Sequence, residues 1–259
     1  MKPLAHAHAV VTGGSRGIGF AIAARLAALG ASVSLFGRDR SRLYDAVQRL
    51  PAGAEADAHE CDVADARSVQ AAFDAVARTG RKVAILVNNA GVARSAKLAA
   101  TGDALWNEML AVNLTGTFNC TRAALPALTE AKAGRVVNVA STAGLIGYPY
   151  VAAYCAAKHG VVGFTRALAL ELAATRVTVN AVCPGYTDTD IVRESVANIV
   201  AKTGRTEADA RSALAARNPQ KRLVTPDEVA GAVAWLCLPE SQSITGQAIA
   251  VAGGEVTAG

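Results

Sequence analysis

A doubly wound α/β fold on one parallel seven-stranded sheet is what this chain predicts, and three observations carry the prediction. Seven short apolar runs occur without the strict alternation of a half-exposed sheet, and helical segments separate them. Strands of that kind are covered on both faces and run parallel. A glycine-rich turn joins the first run to the first helical segment. The residues with reactive or polar side chains gather where the runs end, the edge at which such sheets bind ligands.

The elements follow in order. Ala9-Val10-Val11-Thr12 is the first strand, Gly13-Gly14-Ser15-Arg16-Gly17-Ile18-Gly19 the turn, and residues 20–29 a helix closed by Gly30. Residues 31–36 form the second strand, ending in Gly37-Arg38-Asp39-Arg40, and 41–50 a helix. A third strand over 56–63 carries Asp62 at its end, and 66–78 is helical. The buried run 83–87 ends in Asn88-Asn89-Ala90-Gly91, and a long helix within 101–128 carries Asn113. The strand over 135–139 ends at Ala140-Ser141, and the next helix holds Tyr154, Lys158 and the apolar segment 161–172. The strand over 177–182 ends in Cys183-Pro184-Gly185. Thr225-Pro226-Asp227-Glu228 is a capping box with proline at the first helical position, opening a helix that Pro239 ends. Residues 248–252 are the last strand.

Composition narrows the function. The 259 residues carry no proline- or serine-rich linker and no long charge run, so a single domain is expected over 1–259. No stretch reaches the ~20 apolar residues of a membrane span. The N-terminus is too short and mixed for a signal peptide. Five scattered cysteines without a CxxC pair suggest neither a disulfide framework nor a metal site, and a cytoplasmic location fits. The net charge of +5 is dispersed, with no basic run, which argues against nucleic acid and for small anionic ligands.

Two places carry chemistry. Glycines in a strand-to-helix turn let the backbone approach a pyrophosphate, and the helix N-terminus offers unpaired N–H groups. At the end of the second strand an acid would bond a ribose 2′-hydroxyl, whereas an arginine accommodates a 2′-phosphate. Gly37 stands where the acid is expected, Arg38 follows, and Arg16 is a second phosphate partner, so the reading favours NADP(H). Asp39 is the competing ribose ligand. Tyr154 and Lys158 are four apart and share a helix face. An ammonium about 4 Å from a phenol, at an effective dielectric near 20, is worth roughly 4 kcal/mol. That is enough to lower the phenol's pKa by about three units. Alone, such a pair is an ordinary helix surface.

Taken together, the run from Thr12 to Gly19, Asn88-Asn89-Ala90-Gly91, Asn113, Ser141, Tyr154-x-x-x-Lys158 and Pro184-Gly185 resemble the single-domain branch of the short-chain dehydrogenase/reductases, over about residues 9–254. The resemblance implies a Rossmann-like fold and roles for these positions. Tyr154 would be the acid/base at the carbonyl oxygen, Ser141 its hydrogen-bond partner, and Lys158 the residue that lowers the Tyr154 pKa and holds the nicotinamide ribose. Asn113 would keep a water for proton relay. Gly13, Ser15, Arg16, Ile18 and Gly19 would hold the cofactor's phosphates, and Asp62 and Val63 would flank its adenine. Asn89, Ala90 and Gly91 would line the cleft. Pro184, Gly185, Tyr186, Thr187 and Thr189 would approach the nicotinamide. Ala252 replaces a common Asp, and the tail from Glu255 is expected to stand clear of the chemistry.

Residues 186–224 are expected to form a helical lid over the substrate, with helices over 191–202 and 206–217. Their Arg193, Lys202, Arg205, Arg211, Arg217, Lys221 and Arg222 would suit the phosphates of CoA or an acyl carrier's arm, or else form a solvated face. Tyr148 and its neighbours would wall the pocket. The expected reaction is NADPH-dependent reduction of a 3-oxoacyl thioester or related ketone. Its rivals are an NAD-dependent catabolic dehydrogenase of a secondary alcohol or 3-hydroxyacyl-CoA, and a scaffold that senses NADP(H) without turnover. A homotetramer is implied, packed through the helices after Asn113 and Tyr154, with Gly160 and Gly163 permitting close approach.

Overall fold

The computed structural model describes residues 2–257; Met1, Ala258 and Gly259, which the single-domain reading includes, lie outside the described residues. The strands are β1 (His8–Thr12), β2 (Ser32–Gly37), β3 (Ala56–Glu60), β4 (Val83–Asn88), β5 (Gly134–Val139), β6 (Val177–Pro184) and β7 (Ala248–Val251). All pair in parallel in the order β3-β2-β1-β4-β5-β6-β7. The order reverses between β1 and β4, which places the binding crevice there. The helices are α1 (Gly17–Ala28), α2 (Arg40–Gln48), α3 (Ala66–Arg78), α4 (Asp103–Leu110), α5 (Gly116–Glu130), α6 (Ala152–Glu171), α7 (Asp190–Thr203), α8 (Glu207–Ala215) and α9 (Pro226–Cys237).

Two apolar layers sandwich the sheet. On one face Ile22 and Leu26 of α1 and Val233 and Leu236 of α9 pack on Val11, Val33 and Leu35. On the other, Val69 and Phe73 of α3 and Cys120 and Leu128 of α5 pack on Val10, Leu86 and Val136. The strands between are buried on both sides, which is why their sequences do not alternate.

Four helix starts follow the capping chemistry in the sequence. Asp39, Asp65 and Thr206 cap α2, α3 and α8, and Thr225 with Glu228 forms the expected capping box on α9. In contrast, α1 begins after Arg16 with no side-chain cap and no acid in its first turn.

Several boundaries differ from expectation, three of them in ways that bear on the site. The third strand stops at Glu60, because the chain turns onto α3 with Ser68 Oγ accepting from the Asp62 N–H at 3.0 Å. The long helix is broken at Ala111–Thr115 into a π-helical turn that carries Asn113. The sixth strand runs on through Pro184, because beyond Val182 it pairs only with β7.

Candidate active site

The carboxyl ends of the strands open into one cavity of about 910 Å³, lined by every catalytic and cofactor candidate named from the sequence. At one end lies the turn after β1. Gly13 adopts φ +64°, and a Cβ on Gly19 would collide with the Gly13 carbonyl and with Asn89. Thr12, absent from the sequence candidates, knits this corner together. Its Oγ1 accepts from the N–H groups of Asn89 (2.9 Å) and Ala90 (3.0 Å), and Asn89 Nδ2 donates to the Thr12 carbonyl at 2.9 Å. Its position opening the glycine run was the available signal.

The first N–H groups of α1 have no intrahelical partner, and no side chain caps them, so they are free for an anion. Arg38 faces the same cavity and makes no ion pair among the described residues. Asp39 does not compete with it. Asp39 Oδ1 accepts from the Arg42 N–H at 3.0 Å and Oδ2 pairs with Arg42 Nε at 3.0 Å. Arg16 is already engaged, its guanidinium 3.0 Å from Asp190 Oδ2. Asp62 turns a carboxylate oxygen onto the Ala64 N–H, and the Val63 carbonyl accepts from Asn119. The unpaired amides, the free guanidinium and the length of the cavity fit a dinucleotide with a further phosphate.

The other end holds Ser141, Tyr154 and Lys158. Ser141 extends from the end of β5, and its Oγ accepts from the Ala143 N–H at 3.1 Å, capping a short turn. The Ser141 hydroxyl donates to the Pro184 carbonyl at 3.5 Å and stands near enough to the Tyr154 phenol to favour its ionised form. Lys158, one turn along α6, is buried and donates to the Val139 carbonyl at 2.9 Å. Its Nζ sits 5.7 Å from the centre of the Tyr154 ring.

The charge balance differs from the sequence expectation. Although Tyr154 as a residue is only partly buried, desolvation of its phenol outweighs the Ser141 hydrogen bond and pushes its pKa up to about 12. Burial lowers Lys158 to about 8. The ammonium stands 5.7 Å from the ring centre, and burial makes it easier to deprotonate than a free lysine. In this state the pair is a protonated phenol beside a labile ammonium, not an activated phenolate.

Asn113 is stitched into place by its own side chain. Nδ2 donates to the carbonyls of Met109 (2.9 Å) and Val92 (3.0 Å), and Oδ1 accepts from the Val92 N–H at 3.2 Å. These bonds hold the π-helical turn against the chain after β4. A Cβ on Gly91 would stand 2.8 Å from Asn113 Oδ1 and 3.7 Å from Lys158 Nζ, so the chain passes close to both and leaves no room for a side chain at Gly91.

Thr187 and Thr189 line the cavity beyond Gly185 and are tied locally, Thr187 Oγ1 to the Gly185 carbonyl at 3.0 Å and Thr189 Oγ1 to the Thr187 carbonyl at 3.2 Å. α7 and α8 fall where the lid was expected, but three of the seven rim cations are paired with acids. Arg193 pairs with Asp190, Arg211 with Asp188 and Arg222 with Glu228, while Lys202 alone of the seven lines the cavity. The tail does not stand clear of the site. Glu255 Oε1 accepts from the hydroxyl of Tyr148, a cavity-wall residue, at 2.7 Å.

Comparison with known proteins agrees with this geometry. A family model described as short chain dehydrogenase matches residues 7–199. A granaticin polyketide synthase protein of Streptomyces violaceoruber, whose name proposes a ketoacyl reductase, is 42% identical over 252 residues, covering 95% of this chain and 92% of that one. A 3-oxoacyl-[acyl-carrier-protein] reductase of Synechocystis sp. is 38% identical, covering 96% of each chain. The crystal structure of a variant of actinorhodin polyketide ketoreductase with NADPH superposes with a TM-score of 0.92 at 41% identity, covering 96% of this chain and 97% of that one.

Proposed function

The chain belongs to the short-chain dehydrogenase family and is an oxidoreductase, and we propose that it reduces a 3-oxoacyl thioester or closely related ketone to a secondary alcohol with NADPH. The observation that carries this reading is the Tyr154 phenol, its pKa held up by burial, beside Ser141 at one end of a cavity whose other end is an uncapped helix N-terminus beside Arg38.

Each residue then has a task. Gly13, Ser15, Ile18 and Gly19 present main-chain atoms to the pyrophosphate, with Arg38, joined by Arg16 when it leaves Asp190, on the 2′-phosphate. Asp62 and Val63 flank the adenine, and Asn89, Ala90 and Gly91 form the cleft behind the ribose. Pro184, Gly185, Thr187 and Thr189 face the nicotinamide. Bound NADPH supplies the hydride. Tyr154 donates its proton to the carbonyl oxygen, which also accepts from the Ser141 hydroxyl. Lys158 gives one N–H to Val139, leaving two for the ribose and for a water held near Asn113 that re-protonates the site.

The test is a titration with NADPH and NADH, followed by nicotinamide fluorescence, together with assays on 3-oxoacyl thioesters. NADPH is expected to bind at least about tenfold tighter, ~1.4 kcal/mol, and Arg38→Asp to erase the difference. Equal or tighter NADH binding would overturn the phosphate reading and favour an NAD-dependent dehydrogenase. Turnover unaffected by Tyr154→Phe would overturn the catalytic one.

The same reading treats the chain as one domain with α7 and α8 as its lid, working as a homotetramer in the cytoplasm. Exposed Trp106, Phe118 and Leu170 on α4, α5 and α6 and the open edge of β7 support assembly, and five unpaired thiols suit a reducing compartment. Gly163 is open to close packing by a neighbouring subunit, whereas Gly160 packs within the subunit against Leu114. No helix among the described residues is long and apolar enough to cross a membrane.

A further inference from the structure

The Tyr148 hydroxyl is held from two sides and takes no part in the reaction above. It lies 2.7 Å from Glu255 Oε1 and 2.8 Å from Thr142 Oγ1. A carboxylate only accepts, and a phenol has one proton, so Tyr148 donates to Glu255 and accepts from Thr142. The ring is held as well. The Arg217 guanidinium stands 4.8 Å over its face, and Tyr186 meets it edge-on with centres 6.3 Å apart.

Glu255 is itself fixed by the tail's path. Gly253 and Gly254 take φ +60° and +90°, with Gly253 so close to Asn218 that no side chain would fit and Gly254 against Pro219. The carboxylate then reaches over Gly185, where a Cβ would stand 3.0 Å from Oε2. Four separate segments therefore converge at Tyr148: the turn after Ser141, the turn after β6, the end of the lid (Arg217 to Pro219) and the C-terminal tail.

We infer that Glu255 is a positioning residue for the substrate: by taking Tyr148's only phenolic proton it holds that ring as an aromatic wall and fastens the lid's end across the cavity. The inference rests on the ketone-reducing reading of this cavity and adds a selectivity to it. The Tyr148–Tyr186 wall offers apolar ring surface to an extended acyl chain, with the Tyr148 phenol already engaged and so not offered to a carbonyl in a wrong register. Glu255→Ala frees that hydroxyl and the lid end together.

The experiment uses the full chain and two N-acetylcysteamine thioesters, 3-oxobutanoyl and 3-oxododecanoyl. Glu255→Ala is expected to raise KM for the long thioester at least about fivefold, with kcat on the short one and the NADPH Kd within about twofold. Glu255→Gln, whose amide oxygen accepts the same proton, should restore KM. Tyr148→Phe should reproduce the KM rise, and the double variant should add little to either single change. Hydrogen exchange across α7 and α8 should quicken in Glu255→Ala. Unchanged KM and unchanged lid exchange, with only a lower Tm, would overturn the inference and leave Glu255 as a tail fastening. If the wild-type protein reduces neither thioester, the functional reading fails, and lid exchange decides the inference alone: faster in Glu255→Ala upholds it, unchanged overturns it. Should Glu255→Ala not fold, Tyr148→Phe carries the same two readouts.

Discussion

Tyr154 illustrates how little spacing says about a pKa. The sequence places an ammonium one helical turn away, and Coulomb's law then argues for an acidic phenol. In the fold the phenol loses more from water than it gains from its neighbours, and it rises to about 12. Ketone reduction, which needs the phenol, should show a kcat/KM independent of Tyr154 ionisation from pH 6 to 9. Alcohol oxidation, which needs the phenolate, should rise about tenfold per pH unit over that range. An oxidation rate already level below pH 8 would show that the Lys158 charge governs the phenol after all. Tyr154→Phe should lower reduction by roughly 10²–10⁴-fold.

Lys158 gives a second prediction with the opposite sign for stability. Its pKa falls from 10.5 to about 8 on burial. Below pH 8 both folded and unfolded chains hold the proton. Between 8 and 10.5 only the unfolded chain holds it, so this group makes the fold more stable as pH rises. Lys158→Met should abolish reduction yet raise Tm by a few degrees at pH 7, and the advantage over wild type should shrink by pH 10. A Tm below wild type at pH 7 would mean that the bond to Val139 outweighs the cost of burying the charge.

At the scale of elements, the junction of β1 and α1 is held by backbone geometry. Gly19→Ala puts a methyl against the Gly13 carbonyl, which is main chain, and against Asn89 Nδ2, which is tied to the Thr12 carbonyl. It should weaken NADPH binding by at least about tenfold, ~1.4 kcal/mol, measured by the same fluorescence titration. Thr225→Ala opens the capping box on α9, none of whose residues lines the cavity. It should cost about 1 kcal/mol, or ~2–4 °C in Tm, without changing NADPH affinity. Both elements were legible in the sequence, because glycine spacing and a capping box are local signals. The π-helical turn was not. It exists because Asn113 answers the main chain of Val92, 21 residues away in the sequence, and no window along the helix contains that partner.

At the scale of the molecule, ligand and assembly report on the whole fold. A ligand at about a hundred times its Kd stabilises by ~2.7 kcal/mol, so saturating NADPH should raise Tm by roughly 5–10 °C, and much less in Arg38→Asp. Light scattering should give a tetramer, and Leu170→Glu, on an exposed apolar face, should reduce it to smaller species while leaving the far-ultraviolet dichroism intact. A wild-type monomer would remove the assembly from the reading.

The sequence by itself determined the sheet, its parallel sense and the glycine turn, each from residue type, periodicity or spacing within a short stretch, and its resemblance to a family singled out Ser141, Tyr154 and Lys158 as candidates. Tertiary structure alone decided what those side chains face. It turned Asp39 onto Arg42 and away from the ribose site, paired Arg193, Arg211 and Arg222 with acids, and aimed Lys158 at Val139. It also brought Glu255 from the end of the chain to Tyr148, 107 residues earlier. The physical reason is common to all of them: hydrogen bonding, desolvation and ion pairing depend on distances through space, which the order of residues along the chain does not contain.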